Sequence, residues 1–303
     1  MVDLLADIGG TNARVAFHDN GAWPRVLLRK AADFPSLEAM LLDVMAEAGV
    51  TPTHGAIALP GPVTGDAVVL TNLPWRVERG ALAARLGLGS LSLLNDLEAA
   101  AWSLPFLKSG DIAQWRAGKA APAARIVVAP GTGLGVGALA PHGGGWTAVP
   151  SEGGHAFAIM PTTTPEPLRA LWRERPSWED LLSGPGLLRI FRALGGTAET
   201  PAAVTAAAEN NDARAAAATG FFSKLLGICA GEMAIVFGAK GGCYVAGGVV
   251  PALGRHFDVA RFISGFNDKG PYTSYVDTIP LGLIIHPYPA LVGLAGLLSS
   301  RCA

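Results

Sequence analysis

Leu4-Leu5-Ala6-Asp7-Ile8-Gly9-Gly10-Thr11-Asn12-Ala13-Arg14-Val15-Ala16-Phe17 is the stretch whose reading decides the fold. An apolar strand runs into an Asp, then into a glycine turn carrying a hydroxyl and an amide, then into a second strand. Two small residues let the backbone approach an anion closely, and successive N–H groups in such a turn form a phosphate nest. Asp7 at the strand end suits a hydrated Mg²⁺, which takes oxygen ligands and keeps several of its waters. By itself the stretch also reads as a plain β-hairpin with a Gly-Gly turn.

A second copy favours the phosphate reading. Arg125-Ile126-Val127-Val128-Ala129-Pro130-Gly131-Thr132-Gly133-Leu134-Gly135-Val136-Gly137-Ala138-Leu139 again joins two apolar runs by a Gly/Thr turn. Two such hairpins in one chain point to two related halves gripping one polyphosphate. Gly133, Gly135 and Ala138 also fit the loose dinucleotide pattern G-x-G-x-x-A. That pattern needs a helix next, whereas residues 136–139 are β-prone and glycine-punctuated, and no acidic residue follows about 20 positions on in a strand context. A third segment, Cys243-Tyr244-Val245-Ala246-Gly247-Gly248-Val249-Val250-Pro251, is an apolar strand ending in Gly-Gly ahead of a Pro that can start a helix. It either leaves room for a flat nucleoside on the backbone or makes a tight strand-to-helix connection.

At 303 residues the chain is long enough for two domains and a substantial core. A net charge of −1 gives no case for nucleic acid or an anionic membrane surface. Cys229, Cys243 and Cys302 are too scattered for a disulfide framework or a zinc site, which fits a reducing cytoplasm. Mean hydropathy is high at +0.36, but Ala and Gly carry much of it. The most apolar tail, residues 281–298, is broken by His286, Pro287 and Pro289, so the chain reads as soluble.

Periodicity organises the rest. Residues 4–7, 13–18 and 25–30 read as strands, and Ser36 caps a helix that puts Leu37, Met40, Leu41, Val44 and Met45 on one face. Strand 55–59, helix 78–86, strand 91–94 and helix 97–103 follow, an order that argues a mixed, mainly three-layer α/β sheet. The second half repeats the opening hairpin, inserts helices near 186–194 and 212–237, and returns to strands at Cys243 and Leu281. The boundary is expected within the Gly-, Ala-, Lys- and Pro-rich residues 105–124, and the last apolar helix, 290–299, is expected to return to the first domain.

The polar candidates sit at the ends of these elements. Asn95-Asp96 falls at the C-terminal end of a parallel strand, where open α/β sheets bind ligands. A carboxylate there can accept a hydroxyl proton as the oxygen attacks phosphorus, and Asn95 offers both a donor and an acceptor. The same pair also reads as the cap of the next helix, and both roles are compatible. Glu152-Gly153-Gly154-His155 places an acid and an imidazole across two glycines, able to bind hydroxyls and short of ligands for zinc. Glu179, behind Ser177, fits a helix first-turn acid.

Taken in order, these motifs resemble the bacterial glucokinases of the hexokinase, sugar kinase, actin and Hsp70 superfamily. The resemblance runs from Ala6-Asp7-Ile8-Gly9-Gly10-Thr11-Asn12 through Leu94-Asn95-Asp96-Leu97, Glu152-Gly153-Gly154-His155, Leu182-Ser183-Gly184-Pro185-Gly186 and Ala246-Gly247-Gly248-Val249-Val250-Pro251 to Ala290-Leu291-Val292-Gly293. It implies two RNase H-like (actin-like ATPase) α/β domains with a ligand cleft between them. The small domain would be residues 1–106 plus 286–303, and the large domain 107–285. It implies phosphorylation of D-glucose at the 6-hydroxyl, with ATP and Mg²⁺ as cofactors, in the cytoplasm. Asp96 would be the catalytic base, and Asn95, Asp96, Glu152, His155 and Glu179 would bind the sugar, with Glu152 and His155 near its anomeric end. Asp7, Gly9, Gly10, Thr11, Asn12, Thr132, Gly133, Gly247 and Gly248 would bind the nucleotide, Asp7 reaching the metal through water. The loop 59–65 and the stretch 71–75 would line the small-domain side of the sugar site. Ser151 departs from the Gly usual in relatives and is expected to alter that loop's flexibility. The expected partners are small molecules, not nucleic acid or membrane, and a homodimer stays open. Other hexoses (fructose, mannose, an N-acetyl sugar) and a non-catalytic sugar sensor remain as alternatives. Sensor relatives carry a basic helix-turn-helix segment ahead of the first hairpin, and six residues precede Asp7.

Overall fold

A computed structural model describes residues 2–19, 25–70 and 73–301. Thr71 and Asn72, expected to line the sugar site, lie outside the described residues. The chain divides into two compact units, one comprising Met1–Lys108, Gly143–Ala148 and His286–Ala303, the other Ser109–His142 and Val149–Ile285.

The first unit contains β1 (Val2–Ile8), β2 (Asn12–Asp19), β3 (Leu27–Lys30), β4 (His54–Leu59), a short ribbon of β5 (Ala67–Val69) with β6 (Arg76–Glu78), and β7 (Ser90–Asn95). The main sheet has the order β3-β2-β1-β4-β7. β1 is antiparallel to β2 and parallel to β4, and β4 is parallel to β7. Alternation along β1 sends Leu4, Ala6 and Ile8 into a core shared with Met40, Leu41 and Val44 of the helix Leu37–Ala48. Ser36 caps that helix as expected, its Oγ accepting from the Ala39 N–H at 3.1 Å. The helices Asp96–Ser103 and Pro289–Arg301 pack on each other and on the sheet, giving a further layer. The ribbon β5–β6 is absent from the periodicity reading. Three-residue strands in a Pro- and Gly-rich stretch leave too few positions for alternation to register.

The second sheet contains β8 (Ile112–Arg116), β9 (Arg125–Pro130), β10 (Leu134–His142), β11 (Gly145–Val149), β12 (Gly242–Val245) and β13 (Leu281–Ile284), all from the second unit except residues 145–148 of β11. Their order is β11-β10-β9-β12-β13-β8. β9 is antiparallel to β10 and parallel to β12, and β12 is parallel to β13, which repeats the pairing pattern of the first unit. β8 is the addition, antiparallel at the edge of β13. The long helix Ala213–Val236 is apolar enough to cross a membrane by length and composition alone. Its Phe222, Leu225 and Leu226 are instead fully buried in the core with Phe262 and Phe266, so its hydrophobicity is used for packing.

Candidate active site

In the first unit the C-terminal ends of the parallel strands β1, β4 and β7 bring Asp7 and Asn95-Asp96 to one edge of the sheet. Asp7 stands opposite Arg14 in the β1–β2 register, and Arg14 Nη1 donates to Asp7 Oδ2 at 3.3 Å. Burial pushes the Asp7 carboxyl above its ordinary range, and the guanidinium opposes that shift. In the adjoining turn the Gly9 N–H donates to the Asn12 carbonyl and the Ala31 N–H to the Thr11 carbonyl, each at 3.0 Å. Gly10, Thr11 and Asn12 remain exposed around this braced turn.

Asn95 and Asp96 divide the two expected roles between them. Asn95 is the cap of the helix Asp96–Ser103: its Oδ1 accepts from the Leu97 N–H at 2.8 Å, and Glu98 Oε2 accepts from the Asn95 N–H at 2.9 Å. Its Nδ2 donates to the Gly61 carbonyl at 3.0 Å, tying the loop after β4 to the helix start. Asp96 is the first helical residue, its Oδ1 accepting from the Leu97 N–H at 2.9 Å. Burial pushes its carboxyl up to about 6; the Leu97 N–H resists the shift and the negative charge of Asp7 adds to it. A carboxylate that ionises near neutrality is suited to general-base work.

In the second unit the turn between β9 and β10 carries Thr132 and Gly133. The Gly131 N–H donates to the Gly133 carbonyl at 2.8 Å, and the Gly184 N–H to the Gly131 carbonyl at 2.9 Å. The turn is thereby fixed to the start of the helix Gly184–Ala193, which Ser183 caps through the Gly186 N–H at 3.1 Å. Beside it lies a cavity of about 580 Å³ lined by Thr132, Pro185, Pro201, Thr205, Gly248 and Ala252 among others. Gly247 closes β12 with a left-handed φ of 79° against the Pro130 carbonyl, a conformation glycine adopts without strain. The cavity is mostly apolar with a few hydroxyl and backbone groups, a composition suited to a flat heterocycle.

The same unit brings Glu152, His155 and Glu179 together. His155 Nε2 lies 3.9 Å from Glu152 Oε2 and its Nδ1 lies 3.9 Å from Glu179 Oε1. Two carboxylates and an imidazole thus form one row, Glu152 and His155 exposed and Glu179 half-buried, with donors and acceptors of the kind that can bind hydroxyls. Glu179 does stand in the first turn of the helix Trp178–Leu181 behind its Ser177 cap, but its neighbour closes the capping box: Asp180 Oδ2 accepts from the Ser177 N–H at 2.9 Å and from its Oγ at 2.8 Å. Glu179 is then free to reach β10, where its Oε2 accepts from the Leu134 N–H at 2.9 Å. Ser151 Oγ accepts from the Gly153 N–H at 3.1 Å, so the serine braces the loop that presents Glu152.

Sequence reasoning missed Arg14 as the partner of Asp7, Glu98 as the partner of the Asn95 cap, and the cavity residues Pro185, Pro201, Thr205 and Ala252. The first two had a signal: a cross-strand position in the hairpin, and an N-x-x-E capping pattern. The cavity residues come from three separate helices and carry no shared pattern.

The family model described as Glucokinase matches residues 4–301. This chain belongs to the glucokinase family. The glucokinase of Chromobacterium violaceum is 40% identical over 316 aligned positions, covering 99% of this chain and 90% of that protein. A crystal structure of glucokinase from an Antarctic psychrotroph superposes with a TM-score of 0.91 at 28% identity, covering 99% of both chains. A ROK family glucokinase from Streptomyces griseus, in complex with glucose and AMPPNP, superposes with a TM-score of 0.65 at 20% identity over 98% of this chain and 99% of that one, a likeness of fold. The two glycine hairpins and the repeated strand order are therefore those of a glucokinase-family, actin-like ATPase fold, and the dinucleotide pattern of Gly133, Gly135 and Ala138 falls away, since a strand and not a helix follows the turn.

Proposed function

We propose that this chain phosphorylates D-glucose at its 6-hydroxyl with ATP, giving glucose 6-phosphate and ADP, and that Asp96 is the general base. The observation that carries the mechanism is a part-buried carboxylate, pushed up to about 6, at a strand end of a glucokinase-family chain. Asp96 takes the proton from the 6-hydroxyl as that oxygen bonds to the γ-phosphorus and the bond to the bridging oxygen of ADP breaks. Asn95 and Glu98 hold the helix start, and so hold Asp96 in place. Glu152, His155 and Glu179 anchor the remaining hydroxyls. Thr132, Gly133, Gly247 and Gly248, with the cavity beside them, suit the nucleotide's phosphates and base, and Gly9 to Asn12 supply a second anion-binding turn.

Among the described residues no group of three or more His, Cys, Asp or Glu side chains is placed to hold a metal ion. That fits a divalent cation held chiefly by the nucleotide's own phosphates and waters, with Asp7 as a single oxygen partner through water. Mg²⁺, when bound, neutralises charge on the transferring phosphoryl group. Cytoplasmic residence belongs to the same proposal: Cys229 and Cys243 are buried free thiols, consistent with a reducing compartment.

A coupled assay over glucose, fructose, mannose and N-acetylglucosamine, with ATP, ADP and polyphosphate as donors, tests the reaction. Glucose with ATP should exceed every other pair at least tenfold in kcat/KM, and a better pair would replace the proposal. Ala252→Phe fills the cavity and is expected to raise the nucleotide KM about tenfold or more, leaving glucose affinity, measured by calorimetry without nucleotide, within about twofold. Weaker glucose binding in that variant would remove the cavity from its nucleotide role.

A further inference from the structure

Gly133 belongs to the glycine hairpin read as a phosphate turn, yet its surroundings tie it to the sugar-binding row. Its φ lies outside the left-handed region, so the turn itself does not demand glycine. The crowding comes from Glu179: a Cβ on Gly133 would push aside Glu179 Oε2, a side-chain tip that can give way and the same oxygen that accepts from the Leu134 N–H at 2.9 Å. The next carbonyl along bears on the other acid. A Cβ on Gly154, two residues after Glu152, would collide with the Leu134 carbonyl oxygen. The peptide groups around Leu134 thus form a wall against which both parts of the Glu152–His155–Glu179 row are seated.

We infer that Gly133 and the Leu134 N–H are positioning elements of the sugar-binding row, setting where the Glu179 carboxylate stands, in addition to any part they play with phosphate. The inference rests on the reading of Glu179 as a sugar anchor. Held at Oε2, Glu179 presents Oε1 toward His155 at 3.9 Å, and a fixed acceptor spares the entropy of ordering a long side chain when the sugar arrives. A methyl group at position 133 displaces the carboxylate, so a substitution in the phosphate turn reaches the sugar.

The test is titration of glucose by calorimetry in the absence of nucleotide, a readout that a purely phosphate-binding role for Gly133 would not move. Gly133→Ala is expected to weaken glucose about tenfold or more. Glu179→Ala should weaken it comparably, and the double variant should bind no more weakly than Glu179→Ala alone, since both changes remove one interaction. Glu179→Gln keeps an oxygen that can accept from the Leu134 N–H, whereas Glu179→Asp keeps the charge and loses the reach. Gln is therefore expected to retain more glucose affinity than Asp, a comparison that stands even where Gly133→Ala does not fold. Glucose binding by Gly133→Ala within twofold of wild type, or Asp outperforming Gln, would overturn the inference while leaving Glu179 as an anchor. Unchanged binding in Glu179→Ala would overturn both.

Discussion

Replacing Asp96 with Asn is expected to lower kcat by about 10²–10⁴-fold, the usual contribution of a general base, while glucose affinity stays within about threefold of wild type. The side chain keeps its size and its acceptor for the Leu97 N–H, so what is lost is the ability to take a proton. The same change should stabilise the protein at neutral pH. Asp96 ionises near 3.8 when unfolded and near 6 when folded, so the folded state holds its proton more tightly. Stability is therefore untouched below the lower value, falls as pH rises between the two, and stays reduced above the upper one. Two pKa units correspond to about 3 kcal/mol, an upper figure for a group that retains some exposure. Thermal unfolding of Asp96→Asn should thus exceed wild type at pH 8, with the gap closing toward pH 4. Equal melting temperatures at pH 8 would show that the carboxylate is not held under this strain.

Replacing Gly293 with Ala is expected to destabilise the first unit by about 3 kcal/mol or more, seen as a lower melting temperature and denaturant midpoint. The helix Pro289–Arg301 crosses Asp96–Ser103 so closely that a Cβ on Gly293 would collide with the Ala99 carbonyl oxygen and stand 2.8 Å from the Ser103 nitrogen. Both obstacles are backbone, so relief requires the helices to part. Because Asp96 is the first residue of the helix displaced, kcat should fall together with stability. Gly296→Ala is the internal control. There the obstruction is the Phe106 ring, a side chain with 40% exposure that can turn aside, and the loss should be under about 1 kcal/mol. Equal effects at 293 and 296 would mean that the helix crossing is not set by backbone contact.

The hairpins were legible because their meaning is local: Asp7 and its glycine turn, and the turn at Thr132-Gly133, each need only a strand, small residues and a strand. Asn95-Asp96 was legible as a pair but not in its division of labour. Which residue caps and which stays available depends on Glu98 reaching back and on Gly61 accepting from Asn95, contacts fixed by register and packing. Ser177 shows the same limit. It suggested a first-turn acid, and both Glu179 and Asp180 stand in that turn; Asp180 closes the box with Ser177, which leaves Glu179 for Leu134, 45 residues away in sequence. The nucleotide-sized cavity was illegible residue by residue, because Pro185, Pro201, Thr205 and Ala252 become neighbours only when three helices pack. Arg14 lay within the first stretch read, but only the β1–β2 register sets it opposite Asp7.

The role of Asp96 is tested most directly by the pH dependence of kcat/KM for glucose, with nucleotide and magnesium saturating so that only protein and sugar are free. A base that must be ionised gives a single acid limb, and wild type should rise through a midpoint near 6 and level off above it. In Asp96→Asn that limb should vanish from the residual rate. A wild-type profile flat from pH 5 to pH 8, or the same limb surviving in Asp96→Asn, would contradict Asp96 as the group that takes the sugar's proton.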